Sequence, residues 1–408
     1  MKRFWTGILG LVTFLSIGCG SDAPPGARVV KTMTLTSPLA LMQNVQLLRT
    51  GADFLLAGYE DGQVRWGRLS EAGEITAETS FALPAPILGP YFAATQKATP
   101  GDQLIAVVVN QGAAGGYELQ GFVHNPGDPQ ATGPVVISSL PGGVTPEIIK
   151  VSAGVSASGG VGLVTWGFQG QGIAPTYRFL GPNAALLGEV GKIGDAALAL
   201  DVVKWDCLRI LQSATPLGIA LTYPVSQAKG TILDGAYVFE RFELNESAVV
   251  SDTPMFLQDS VKSCQITGAP TSDGYAMAWK NESGIFSGRL YNPVGSSVEG
   301  TVITHMILAT TQFSTPKDIP SPSFVAPAGP DSVVGLSRET GPMLARFDYD
   351  GAPRGSDLIL PSTTGKTGPM VGWVGPSQTF VTYSDIATTS PFTVTKRYFL
   401  QVEFPASL

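Results

Sequence analysis

Gln103-Leu-Ile-Ala-Val-Val108 is a short run, apolar after its first residue, and it has counterparts along the whole chain. Asp53-Phe-Leu-Leu-Ala57 precedes it, and Val161-Gly-Leu-Val-Thr165, Gly218-Ile-Ala220 and Gly274-Tyr-Ala-Met-Ala278 follow. Ser332-Val-Val-Gly335 and Gln378-Thr-Phe-Val-Thr382 complete the series. From the last residue of one run to the last of the next, the intervals are 51, 57, 55, 58, 57 and 47 residues. Such regular spacing marks an internal repeat. A second series sits further along each unit, at Gly73, Gly127, Asn183, Asn245, Gly295 and Gly351, with intervals of 54, 56, 62, 50 and 56. Gly and Asn tolerate the positive φ that tight hairpins demand. Each unit therefore reads as strand, loop, strand, loop, strand, hairpin, strand, the pattern of a β-propeller blade.

The two ends of the chain complement each other. The seventh unit runs through Lys396-Arg-Tyr-Phe-Leu-Gln-Val-Glu-Phe404 and stops four residues later, one strand short. A spare strand, Val29-Val-Lys-Thr-Met-Thr-Leu-Thr36, precedes the first unit. An N-terminal strand that completes the last blade would pair an otherwise open edge. The expected fold is all-β: a seven-bladed β-propeller of four-stranded blades over 29–408, its ring closed by strand 29–36. The blades are expected near 45–83, 92–141, 148–195, 206–257, 264–304, 322–360 and 369–404. Six and eight blades are the alternative counts. Composition agrees. Of 408 residues, 49 are Gly and 31 Pro, which disfavours long helices, while 44% are hydrophobic, enough for a large core. The formal charge of −7 argues against a nucleic-acid partner.

The first residues read as an address. Lys2 and Arg3 precede an apolar run from Phe4 to Ile17, shorter than the ~20 residues a membrane span needs. Ser16-Ile-Gly-Cys19 follows, and it resembles the lipobox of bacterial lipoproteins, with small Gly18 before the cysteine and Leu15 one place earlier than usual. The resemblance implies a signal peptide over 1–18, cleavage before Cys19, lipidation of Cys19 as the membrane anchor, and a tether over 19–28. Loss of Lys2 and Arg3 leaves 23 basic and 32 acidic side chains. More than one acyl chain gives stable anchoring. Gly20 after the cysteine lacks the inner-membrane retention signal of the Asp type, so the expected location is the outer membrane of a bacterial envelope. The chain as a whole is similar to bacterial propeller lipoproteins as a general class, including, in architecture alone, that of the outer-membrane β-barrel assembly machine. It carries no WD40, kelch or sialidase signature and no Asp-x-Asp-x-Asp-Gly calcium loop.

Side chains that could carry chemistry are few. Cys207 and Cys264 are 57 residues apart, one repeat, and could form a structural disulfide between neighbouring blades. His124 and His305 stand alone, without partners at metal-ligand spacing, and read as surface or half-buried imidazoles; no metal and no cofactor is expected. Gly154-Val-Ser156-Ala-Ser158 fails the nucleophile-elbow pattern at its last position. Acidic residues near strand ends (Asp53, Glu60, Asp61, Asp331, Glu339) read as solvated or turn-capping, and no residue takes a catalytic role. Trp166, Trp279 and Tyr383 share a register after the second strand, with Tyr59 and Tyr223 slightly displaced; regular register favours packing between blades over a ring of stacking platforms.

Long loops on a rigid scaffold are where binding resides. The long ones here are Phe168–Pro175, Pro224–Asp234 and the connection His305–Pro322, all on one face. Candidate contacts on it are Gln169, Gln171, Lys229, Lys280 and Glu282. The expected function is a non-enzymatic, envelope-anchored platform that binds protein or glycan on this face. The alternatives are an envelope carbohydrate-active enzyme with carboxylates at the central channel, and a structural subunit of an outer-membrane assembly.

Overall fold

The computed structural model describes residues 27–404 apart from internal stretches, the longest being 141–149, 193–199, 203–208, 212–217, 228–235, 292–301, 308–320 and 348–354. The described elements are strands, with one four-residue helix. β1 (Arg28–Leu35) leads into α1 (Pro38–Leu41), which starts where Ser37 accepts a hydrogen bond from the Ala40 amide (3.2 Å) and Pro38 supplies a preset φ. β2 (Gln46–Thr50), β3 (Asp53–Glu60), β4 (Gln63–Leu69) and β5 (Ile75–Ala82) then form an antiparallel meander, as do β6 (Leu88–Gln96), β7 (Asp102–Gln111), β8 (Tyr117–His124) and β9 (Thr132–Leu140). The same order holds for β10 (Lys150–Val155), β11 (Val161–Gln169), β12 (Gly172–Leu180) and β13 (Leu186–Lys192).

The next sheet has divided edges. β14 (Leu200–Val202) and β15 (Arg209–Leu211) both pair with β16 (Gly218–Gln227). β17 (Ala236–Asn245) pairs on its far side with β18 (Ala248–Ser251) and β19 (Met255–Ser260). Two regular sheets follow: β20 (Ile266–Pro270), β21 (Gly274–Lys280), β22 (Ile285–Tyr291), β23 (Val302–Ile307), and β24 (Ser321–Ala328), β25 (Asp331–Arg338), β26 (Gly341–Phe347), β27 (Leu358–Ile359). In the last, β28 (Val371–Val374), β29 (Thr379–Ile386) and β30 (Val394–Glu403) are joined by β1, which pairs with β30 from Arg28↔Glu403 to Leu35↔Arg397. The fold is all-β, a β-propeller arrangement of four-stranded blades.

Burial explains why this order is written in the sequence. Second strands are covered on both faces: Thr379–Asp385 in β29 are all buried, as are Leu104–Val109 in β7. Outer strands face water and alternate, as in β5. Apolar runs thus recur once per blade, in β3, β7, β11, β16, β21, β25 and β29. Tight turns recur beside them. Glu60 and Gln63 are joined by Asp61 (φ 50°) and Gly62 (φ 78°), the paired positive φ of a type I′ turn. At the β12–β13 turn the positive φ falls on Ala184 (φ 60°) rather than on Asn183; Asn183 instead accepts the Ala185 amide through its side chain (3.2 Å), which fixes the turn.

Adjacent sheets share apolar cores. Leu55, Val64, Trp66 and Phe81 of the first meander pack on Phe92, Leu104, Val108 and Phe122 of the second. Ile105, Val107, Leu119 and Val123 meet Leu180 and Ala184 of the third. Phe324, Val333 and Leu344 meet Val381, Tyr383, Tyr398 and Leu400. Leu35, Leu39, Ala40 and Met42 fill the joint between Phe54, Leu56 and Leu69 on one side and Phe380 and Phe399 on the other. Full burial of each large apolar side chain contributes about 1.5–3 kcal/mol. First strands also lie beside one another: β2 by β6, β6 by β10, β10 by β15, β15 by β20, β20 by β24, and β24 by β28.

One joint depends on missing side chains. The Phe324 ring occupies the space where a Cβ would stand on both Gly335 of β25 and Gly372 of β28. Alanine at either position is expected to cost about 1–3 kcal/mol, because the ring is trapped between two sheets and cannot retreat. Chemical denaturation of Gly335→Ala and Gly372→Ala measures it, and Phe324→Leu in the Gly372→Ala background should recover part of the loss.

Candidate functional site

Hairpins joining second to third strands lie at one end of the sheets, together with the links from each fourth strand to the next first strand. Hairpins joining third to fourth strands lie at the opposite end. The first end is the face singled out by sequence. Its connections are shorter than expected at one place: β11 and β12 stay paired down to Gln169↔Gly172, because Trp166↔Pro175 and Phe168↔Ile173 extend the ladder. Gln227 and Ala236 flank a longer connection, and Lys280↔Ile285 closes the next. Gln169 therefore ends β11 and Lys280 ends β21, on the expected face. Gln171, Lys229 and Glu282 lie outside the described residues, as do Cys19, Cys207 and Cys264. His305 pairs with Ser287 within β23.

Asp385, Arg397 and Tyr398, which the sequence does not single out, join Tyr383 on the described part of this face. Asp385, near the end of β29, has no solvent exposure and is surrounded by donors. Its Oδ1 accepts from the Ser362 hydroxyl (2.7 Å). Its Oδ2 accepts from the Thr363 amide (2.9 Å), the Thr363 hydroxyl (2.6 Å) and the Tyr398 hydroxyl (3.0 Å). Burial alone would raise the Asp385 pKa; the bonds from Thr363, Ser362 and Tyr398 outweigh it and hold the carboxyl below its ordinary value. Tyr383 stacks on Tyr398 (5.0 Å between centroids) and donates to the Pro361 carbonyl. Its phenol is pushed up strongly, first by burial and then by Tyr398 and Asp385. The Lys396 ammonium lies 4.6 Å from the centroid of the Tyr398 ring. Tyr383 thus packs between blades and offers no stacking platform. Asp385 stands three residues beyond the seventh apolar run, and a carboxylate near the end of a buried strand is the available signal.

Arg397 is nearly buried and reaches across to α1. Its Nε donates to the Ala40 carbonyl (2.7 Å) and its Nη2 to the Met42 carbonyl (3.5 Å), capping a helix whose last carbonyls lack intrahelical partners. Burial lowers its pKa to about 10, so the guanidinium stays charged at neutral pH.

At the opposite end, His124 proves fully buried rather than at the surface or half-buried, because it terminates β8 between two sheets. The Trp66 indole N–H donates to its Nδ1 (3.0 Å), and the Phe81 ring stacks on it at 4.5 Å. With Nδ1 accepting, Nε2 carries the proton and donates to the Asp128 carbonyl (2.9 Å). A proton added at Nδ1 would face the indole N–H. Burial lowers the His124 pKa, partly offset by the Asp128 carbonyl and charge. The unfolded chain takes up this proton near pH 6.5, more readily than the folded chain, so stability falls as pH drops through that point. The thermal midpoint is expected to decline from pH 7 to pH 5. His124→Gln, which can still accept from Trp66, should flatten that part of the profile; an unchanged slope would refute the assignment.

Among the described residues, no group of three or more His, Cys, Asp or Glu side chains is arranged to hold a metal ion. No described helix is long and apolar enough to cross a membrane.

No family model and no curated protein matches the chain. Solved structures do. The polysaccharide lyase Uly1 superposes with a TM-score of 0.54 at 9% identity, over 92% of this chain and 99% of that one. The Dos1 propeller gives 0.45 at 9% identity, over 86% and 75% of the two chains. An acylaminoacyl peptidase of Pyrococcus horikoshii gives 0.45 at 9% identity, matching 86% of this chain but 50% of its own length. At 9% identity the likeness to Uly1 shows the fold alone, with no transfer of site residues.

Proposed function

We propose that this chain is an envelope-anchored lipoprotein whose propeller is a rigid, non-enzymatic platform that binds protein or glycan on the face of second-to-third-strand hairpins. The proposed body is a seven-bladed ring in which β1 completes the last blade. Its support is the β1–β30 pairing and the shared core of Leu35, Leu39 and Met42 with Phe54 and Phe399. Cys19 is the proposed lipid anchor in the outer membrane, Cys207 and Cys264 the proposed staple, and Gln169, Gln171, Lys229, Lys280 and Glu282 the proposed contacts.

The observation that carries the binding role is how the fold uses its ionisable groups at this end. Asp385, Tyr383, Tyr398 and Arg397 are all buried and bonded to the chain's own groups. They brace the face and leave recognition to the exposed hairpins. Affinity capture from detergent-solubilised envelopes tests the reading, with full-length protein against Cys19→Ala. A stoichiometric protein partner, or retention on a glycan matrix, supports the platform. Loss of either with Lys229→Glu/Lys280→Glu would localise it to this face. The second reading, a glycan-cleaving enzyme, is favoured by the fold shared with a polysaccharide lyase. Release of new reducing ends from envelope polysaccharide by purified protein would replace the platform with that reading.

A further inference from the structure

We infer that the chain leaves the propeller at the end opposite the hairpin face, so that the anchor turns that face away from the bilayer and towards partners arriving from water. This rests on the lipid-anchor reading of Cys19. The direction comes from β1. Its first residue, Arg28, pairs with Glu403 at the end of β30, and the two side chains form an ion pair. Its last residue, Leu35, pairs with Arg397 near the start of β30, where the chain enters α1. β30 begins at the second-to-third hairpin of its sheet and ends at the opposite face, so Arg28 lies at that opposite face. The outer position of β1 is fixed from both sides. Lys31 donates to the Ala72 carbonyl (3.1 Å), and Met33 fills the space over Gly73, both in the β4–β5 hairpin.

Lengths decide the outcome. β1 has eight residues, which span ~26 Å at ~3.3 Å per residue. Gly20–Arg28 is nine residues, with a typical flexible reach of ~17 Å and an extended limit of ~30 Å. A tether of that reach keeps the third-to-fourth hairpins beside the membrane. It brings the opposite face to the lipid only when fully stretched along the flank of the disc. The exposed Glu71 and Glu74 put negative charge at the membrane-side end, which disfavours flat adsorption on anionic lipid. The hairpin face is therefore open to a water-borne partner, and the bilayer is not its ligand.

Full-length lipidated protein in vesicles of phosphatidylethanolamine and phosphatidylglycerol tests this. A benzoylphenylalanine photo-crosslinker replaces Glu71, on the membrane-side hairpin of the first blade, or Glu60, on the hairpin at the other end. Glu74 and Gln63 serve as a second pair should either variant fold poorly. The expected result is co-flotation with vesicles and at least fivefold more lipid adduct from position 71 than from position 60. Equal or inverted adducts on floating protein overturn the orientation and leave the anchor standing. Protein that floats no better than Cys19→Ala overturns the anchor, and the orientation with it.

Discussion

Deletion of residues 28–35 is expected to destroy the cooperative folding of this chain, although it removes a single surface strand. β1 satisfies the edge of β30 along a ladder from Arg28↔Glu403 to Leu35↔Arg397. Each ladder hydrogen bond is worth about 0.5–1.5 kcal/mol net, and burial of Leu35 adds about 2 kcal/mol. Without β1, Met33 no longer covers Gly73, and α1 loses the strand that leads into it. The joint between the first and last sheets then opens at Phe54, Phe380 and Phe399, whose rings pack within 5.5–5.7 Å of one another. The combined loss exceeds about 5 kcal/mol, comparable with the ~5–15 kcal/mol that holds a folded domain together. Circular dichroism should show a broad, non-cooperative melt for the deletion. Arg28→Ala is the control: its ion pair with Glu403 is exposed, and its loss should cost less than about 1 kcal/mol. A deletion mutant melting within a few degrees of the intact chain would refute closure by this strand.

The legible and illegible parts of the fold divide along burial. Second strands such as β7 and β29 are covered on both faces, so β7 prints an uninterrupted apolar run and β29 a run of apolar residues and small hydroxyls, and such runs recur along the chain. Turns that need positive φ print Gly, as at Gly73 (φ 82°) and Gly127 (φ 87°). The pairing of β1 with β30 is legible as a strand candidate at each end of the sequence. Side-chain networks left no comparable trace. Asp385 depends on Ser362 and Thr363, more than twenty residues earlier, and Trp66 on His124, 58 residues later. Those pairs meet only because the blades stand side by side. His124 accordingly reads as an isolated surface or half-buried imidazole, although two sheets enclose it. Hairpin lengths misled for a related reason. The Gly-Gln-Gly composition around 170 suggests a loop, while Phe168↔Ile173 keeps the strands paired to its tip.

The Asp385 network sets the second large effect. Asp385→Ala is expected to destabilise the protein by about 2–3 kcal/mol, because it leaves the buried Tyr398 hydroxyl without its acceptor and removes the carboxylate that the part-buried donors of Ser362 and Thr363 share. Ser362 and Thr363 sit on the link between the last two sheets, and Tyr398 belongs to β30. One carboxylate therefore ties that link to the last sheet. Asp385→Asn separates charge from shape. With its oxygen turned towards Thr363 and Tyr398 it keeps three acceptor contacts, and its amide can meet the Ser362 hydroxyl, which rotates to accept. Its cost should be about 1–2 kcal/mol, the difference between charged and neutral hydrogen bonding. The pH dependence gives an independent check. A folded-state pKa below the unfolded value near 3.9 means stability is fully present above pH 4 and falls as pH drops towards the folded pKa. Asp385→Asn should melt at a lower temperature than the intact chain at pH 7, and the gap should narrow between pH 4 and pH 2.5. A gap that stays constant across that range would mean the carboxylate is not ionised in the folded protein, and the bracing role assigned to its charge would fall.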